Sequence, residues 1–423
     1  MTTRRGLFGL TGGLLAASAV AAAAEPDMVF DHDARPDDEA YWAKVASLYD
    51  RPSPEVVQLE NGQFGAMATV VRQAYEARTL KVNRDTTLYT RAPAVGIDQA
   101  KVYEAVAALL GVGVDEIVLS RGTTESMQTL IGGYNRLKPG DAVLYADADY
   151  DAMQTAMQAL HRTRGVRVVK IDLPEPATRQ GLIDAYDRAF KANPDLRMAL
   201  VTHLSHRSGV IPPVREIADM ARARGIDVLL DGGHALGQTE FNMADLGVDF
   251  AGLNLHKWIG APIGVGVVYI KKARIPDVDV ALCGEPGETI QSRLHTGTVN
   301  YAAVLSVPDA IAFQARLGLR AKAGRLRYLR DRWAEAVRAN PKVEVLTPPD
   351  PTMHAGLTSF RLKGVTSMAD NHALQQTLLN RFRVMTIERP GLARGACIRV
   401  TPALINRPED ADRLVHAINQ LTA

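Results

Sequence analysis

Ile226-Asp227-Val228-Leu229-Leu230-Asp231-Gly232-Gly233-His234 is the stretch on which the fold of this 423-residue chain turns. A short apolar run that stops on a carboxylate and two glycines reads as a buried strand whose carboxyl end opens a site. A second such tip follows. Asn254-Leu255-His256-Lys257-Trp258 lies between Asp249-Phe250-Ala251-Gly252 and the glycine-rich run Gly264-Val265-Gly266-Val267-Val268-Tyr269-Ile270.

Outward from these tips, helical and strand patterns alternate from about residue 100. Apolar runs at 116–119, 142–145, 166–171, 198–202, 228–230 and 264–270 predict strands, and 124–134, 151–161 and 214–224 predict helices. Such alternation argues for an α/β fold, a parallel, doubly wound sheet with helices on both faces and ligands at the carboxyl ends of its strands. After about residue 308 the composition shifts to one Arg- and Ala-rich helical stretch reaching 340. Strand-like runs at 343–346, 357–362, 384–387 and 397–400 follow it. The expected division is a signal at 1–24, an N-terminal arm and entry segment at 25–95, a large domain at 96–307 and a small α+β domain at 308–423.

Composition narrows the function classes. With 47% hydrophobic and 23% charged residues the chain is neither disordered nor collagen-like nor a polytopic membrane protein. Lys plus Arg number 49 against 47 Asp plus Glu, so charge gives no case for nucleic acid or a membrane surface as partner. Two cysteines, Cys283 and Cys397, make no disulfide framework and no thiolate metal site, and whether they pair is left open. The N-terminus, Met1-Thr2-Thr3-Arg4-Arg5 followed by an apolar run ending in an alanine tract at Ala24, reads as a twin-arginine-type signal. A buried helix or an uncleaved anchor is the alternative, weakened by Gly6, Gly9, Gly12 and Gly13. A periplasmic or secreted location is therefore expected, with the twin-arginine export machinery as a partner.

Three features carry chemistry. Asp231 at a strand tip is costly to bury unless it faces a cation, although a turn or helix-cap aspartate is the ordinary reading. Lys257 between two buried runs suits an amine of lowered pKa that forms a Schiff base; a loop-apex lysine is the alternative. Gly122-Thr123-Thr124-Glu125 at a helix start offers backbone N–H groups and hydroxyls to an anion, and equally reads as a capping box. Together they match the needs of pyridoxal 5'-phosphate: a carboxylate for the ring nitrogen, an amine for the aldehyde and a helix N-terminus for the phosphate.

On these motifs the sequence resembles the class V aminotransferase family of fold-type I pyridoxal-phosphate enzymes, in its isopenicillin N epimerase-like branch. The resemblance runs from Leu59 to the C-terminus and is most specific at 231–238, 254–270 and 397–414. It implies a large domain with a mostly parallel seven-stranded sheet and a small C-terminal α+β domain. It assigns Asp231 to the pyridine nitrogen, Lys257 to the aldehyde, and Thr123, Thr124, Asn254 and His256 to the phosphate. Tyr150, in Asp147-Ala148-Asp149-Tyr150-Asp151, takes the ring-stacking position. His206, in His203-Leu204-Ser205-His206-Arg207-Ser208-Gly209, replaces the asparagine that touches the ring hydroxyl in the family, and His234 approaches the same oxygen. Thr298, in Gly297-Thr298-Val299-Asn300, would reach the phosphate of a neighbouring subunit, so a homodimer with a shared site is implied. Arg399 would grip the substrate carboxylate, and Asn61, in Asn61-Gly62-Gln63-Phe64-Gly65, belongs to an entry loop.

The implied substrate is an amino acid or a peptide-linked amino acid, and aminotransferase is the first expectation. Epimerisation, which needs a second acid–base group across the ring, is the alternative, with Tyr150 as a weak candidate. Desulfuration is disfavoured, because Cys397 sits two residues before Arg399 and reads as strand core. From other classes come a metal enzyme built on His203-x-x-His206, for which no carboxylate-rich companion motif is present, and a non-catalytic pyridoxal-fold binding protein, disfavoured by the presence of both Lys257 and Asp231. No metal is expected.

Overall fold

The computed structural model describes residues 28–284 and 287–423; the signal expected at 1–24 lies outside the described residues. A seven-stranded sheet runs, edge to edge, Ile117–Ser120, Gly266–Ile270, Phe250–Asn254, Asp227–Gly232, Leu196–Thr202, Ala142–Ala146 and Arg167–Ile171. Neighbours pair in parallel except on the two sides of Gly266–Ile270, which are antiparallel. This is the mostly parallel sheet that the resemblance implied, beside a smaller C-terminal unit.

Side chains alternate across each strand, and both faces are covered. From Leu196–Thr202, Met198 and Leu200 enter one core with Met127, Leu130, Leu229 and Phe250. Ala199 and Val201 enter the other with Ile217, Ala221, Leu230 and Leu253. Each large side chain buried in this way contributes about 1.5–3 kcal/mol, so the sheet is a stiff support for the charged groups at its tips. The strand Phe250–Asn254 carries the buried run read at 249–252 through to Asn254. Gly252 within it lets the helix Thr123–Gly133 approach, since a Cβ there would come 2.8 Å from Met127 Sδ.

The smaller unit has an antiparallel sheet in the order Ile387–Arg389, Cys397–Val400, Thr358–Leu362, Val343–Val345. Its core gathers Trp333, Phe360, Leu378, Ile398 and Leu414. Two expectations for this region change. The single helical stretch divides at Gly318 into Val307–Leu317 and Leu319–Arg338, and the helical segment Tyr301–Leu317 meets the second at a bend of 77°. Gly318 has φ +84°, which only glycine adopts without strain, and a Cβ there would come 3.0 Å from His32. The run at 384–387 also divides. Val384–Met385 pairs in parallel with Val57–Gln58, while Ile387–Arg389 joins the four-stranded sheet. The N-terminal segment is thereby stitched to the smaller unit, Glu60 bridges to Thr401, and residues 60–65 are laid across the strand tips. Among the described residues no single helix is long and apolar enough to cross a membrane.

Candidate active site

A cleft of about 660 Å³ opens at the carboxyl ends of the parallel strands, between the two units. Asp231 and Thr202 are register partners on adjacent strands, and Asp231 projects into the cleft. Its Oδ1 accepts the Gly233 N–H at 2.9 Å. Burial raises the Asp231 carboxyl above its ordinary range, and the Gly233 N–H and the Lys257 charge oppose that rise.

Lys257 follows the strand Phe250–Asn254, and its Nζ lies 3.0 Å from His234 Nε2. Enclosure brings the Lys257 ammonium down to about 8; Arg399 pushes the same way and Asp231 opposes. Burial pushes His234 well below its usual value, and the charge of Lys257 adds to this. The imidazole is therefore neutral and accepts the lysine N–H at Nε2, with Nδ1 left buried and without a protein partner. The turn after Lys257 is braced from behind. Buried Lys322 donates to the Trp258 carbonyl and, at 2.8 Å, to Gln314 Oε1, and Gln314 Nε2 donates to the Ile259 carbonyl at 3.1 Å.

Thr123 and Thr124 begin the helix Thr123–Gly133 and line the cleft, so the start of this helix offers it an anion site. The Thr123 N–H is given to Asn254 Oδ1 at 2.8 Å, and Asn254 Nδ2 reaches the Gly233 carbonyl at 3.4 Å. Asn254 thus ties three strand tips together. His256 Nδ1 is 2.9 Å from the Val265 carbonyl, so its ring is oriented by the backbone. A Cβ on Gly122 would come 3.1 Å from His256 Cε1, which shows how closely the helix start and the lysine loop approach.

Tyr150 precedes the helix Asp151–Arg164 and stands edge-on to His206, with ring centroids 5.0 Å apart. Asp149 holds this loop by accepting the Ala146 N–H and the Thr202 hydroxyl, both at 2.7 Å, and burial pushes its carboxyl up to about 7. Burial brings His206 down to about 3, so it is neutral, and its Nε2 lies 3.7 Å from Asp151, too far for a hydrogen bond. His203 does not join it; its ring packs edge-on against Phe241. Among the described residues no group of His, Cys, Asp and Glu is arranged to hold a metal ion.

Ten of the sequence-derived residues line one cleft: Thr123, Thr124, Tyr150, His206, Asp231, His234, Asn254, His256, Lys257 and Arg399. Two stand apart. Asn61 turns into the backbone, donating from Nδ2 to the Thr401 carbonyl at 2.9 Å, and Thr298 is exposed on the loop after Gly297. Sequence reasoning missed Glu60 and Arg389. Glu60 forms a two-pronged ion pair with Arg399, and Arg389 lies beside it. Neither has a motif, and the only pointer was that Glu60 precedes the entry loop.

The cleft suits pyridoxal phosphate. Thr123 Oγ1, His234 Nδ1 and both ring nitrogens of His206 are buried without a protein partner and line it, as polar atoms that serve a polar ligand do. Its donor set is an amine, a carboxylate and a helix N-terminus.

Comparison with known proteins agrees. A family model described as aminotransferase class-V matches residues 66–381. The isopenicillin N epimerase of Streptomyces clavuligerus is 28% identical over 394 residues, covering 87% of this chain and 96% of that enzyme. The cysteine desulfurase CsdA of Escherichia coli shares the fold with a TM-score of 0.76 at 22% identity, over 90% of this chain and 98% of its own. A C-DES variant carrying glycine covalently linked to its PLP cofactor does so at 0.73 and 20% identity, over 86% and 96%.

Proposed function

The chain belongs to the class-V aminotransferase family of pyridoxal-phosphate enzymes, and on that premise we propose that it moves the α-proton of an amino acid or peptide-linked amino acid, first of all as an aminotransferase. Pyridoxal phosphate, when bound, supplies an aldehyde for the substrate amine and a ring that accepts the electrons of a breaking bond at Cα. Asp231 would hold the ring nitrogen, Lys257 the aldehyde, and Thr123, Thr124 and His256 the phosphate.

The observation that carries the reading is the contact between Lys257 Nζ and neutral His234 in a cleft that brings the ammonium to about 8. An amine with that value exchanges a proton readily near neutral pH. Lys257 takes the proton from Cα, and His234 steadies the nitrogen that holds it. That nitrogen would be the single acid–base group that amino-group transfer needs, with water to release the keto acid and a second keto acid to accept the amino group.

A second reading, epimerisation, draws on the Tyr150–His206 pair, which supplies a phenol and a neutral imidazole from two other strand tips. The relative named isopenicillin N epimerase favours it. A desulfurase reading is not taken over from the structural relative. Cys397 is buried, donates to the Arg207 carbonyl at 3.4 Å, and burial pushes its thiol up to about 11. Two further parts of the proposal are a homodimer, in which the exposed Thr298 serves the neighbouring site, and export by the twin-arginine route.

The test is incubation of the loaded protein with L- and D-amino acids in heavy water. Keto-acid formation supports transfer, and deuterium at Cα with inversion supports epimerisation. Neither product with any amino acid contradicts both.

A further inference from the structure

A second cavity, of about 610 Å³, lies beside the cleft. Thr202 lines the cleft and the next residue, His203, lines the cavity, so the end of the strand Leu196–Thr202 stands between the two. One wall of the cavity is the start of the helix Leu319–Arg338. Arg320, Ala323, Gly324 and Arg327 are spaced to share one face of that helix, and all four line the cavity. The two small residues leave room between the two guanidiniums. Among the described residues neither Arg320 nor Arg327 forms an ion pair.

The buried part of the lining is polar and unsatisfied. His203 is 6% exposed and His354 2%, and each has its Nδ1 buried without a protein partner. Arg327 is half-buried, its Nε is likewise unpartnered, and its charge reaches His354. Burial brings both imidazoles down to about 4, so at neutral pH they offer hydrogen bonds and no charge. The exposed part of the lining has the opposite sign. Asp33 and Glu240 stand there against Arg320 alone.

Buried polar atoms without a protein partner are those a ligand satisfies. A plain anion would meet Arg327 but face two carboxylates at the exposed end. A plain cation would suit those carboxylates and leave Arg327 unpaired. A small zwitterion answers both ends. We propose that this cavity is a second binding site, for a free amino acid, with its carboxylate on Arg327, His203 and His354 and its ammonium toward Asp33 and Glu240. The site is set against both supports of the cleft floor. The His203 N–H donates to the Asp231 carbonyl at 2.9 Å. Lys322, from the same helix start, donates to the Trp258 carbonyl beside Lys257. An occupant therefore rests on the two segments that place the carboxylate and the amine of the cleft, whichever reaction the cleft performs.

The test uses the protein loaded with pyridoxal phosphate and reduced with borohydride, which leaves no aldehyde for a substrate amine. Cofactor uptake is read first by absorbance, so a failure of the functional reading is seen apart from a failure of this site. A panel of L- and D-amino acids is then titrated by calorimetry, and the tightest binder is compared with the acid that lacks its amino group. In Arg327→Gln the Kd of the amino acid is expected to rise about tenfold or more, with part of the loss recovered in Arg327→Lys. Glu240→Gln, an exposed change that leaves the core intact, is expected to weaken the amino acid by about threefold or more and to leave the acid unchanged. Binding of no amino acid to the reduced native protein overturns the site. So does a Kd within about threefold of native in Arg327→Gln, or an equal effect of Glu240→Gln on amino acid and acid.

Discussion

The floor and the rim of the cleft are built in opposite ways. On the floor, Asp231, His234, Asn254 and Lys257 come from adjacent parallel strands close in sequence, and each stands at the end of a buried apolar run. At the rim, Glu60 meets Arg399 across 339 positions, through a bridge to Thr401 from an N-terminal segment stitched to the smaller unit. The floor has its chemistry set by a sheet that would exist without it. The rim has its geometry set by the charges themselves, because Arg399 and Glu60 are both buried and neither is tolerable alone. A strand tip can lose a functional group and keep its shape; the rim cannot.

That contrast can be broken in several places. The largest effect is expected at the rim, where Glu60→Ala leaves a buried guanidinium unpaired and lowers the unfolding free energy by about 3–5 kcal/mol, measured by denaturant titration. Asp231→Asn on the floor should do the reverse. Stability stays near native, while turnover on any accepted amino acid falls by about 10²–10³-fold as the ring nitrogen loses its charged partner. A smaller loss, about tenfold in affinity for pyridoxal phosphate, is expected for Thr123→Val, followed by the absorbance of the bound cofactor. The mildest effect is one of pH. In the cofactor-free protein the neutral amine of Lys257 is the reactive form, so the rate of cofactor capture rises as pH passes through about 8 and then levels. Between pH 7 and 9 the gain is about tenfold; an ordinary lysine would rise more steeply and keep rising past pH 10.

The same contrast explains what the sequence made legible. Asp231 and Lys257 could be read because each ends a buried run and the two together answer one ligand, although either alone has an ordinary structural use. Thr123 and Thr124 could be read because the helix start advertises its own free N–H groups. Glu60 and Arg389 could not, since their meaning lies in a pairing between segments that nothing local encodes. The strand Phe250–Asn254 was legible only as the buried run 249–252, because Gly252 weakens its apolar signal, although that glycine is what admits Met127. The bend at Gly318 was missed because an Arg- and Ala-rich stretch propagates a helical pattern through one glycine. The run at 384–387 was read as one strand because periodicity carries no record of a chain changing sheets at Thr386.

The most direct measurement is chemical. The protein is loaded with pyridoxal phosphate, reduced with borohydride and mapped by peptide mass spectrometry. One reduced adduct is expected, on Lys257 alone, and it should vanish in Lys257→Ala. An adduct on any other lysine, or turnover retained in Lys257→Ala, would contradict the assignment of this amine to the cofactor and with it the reading of the whole cleft.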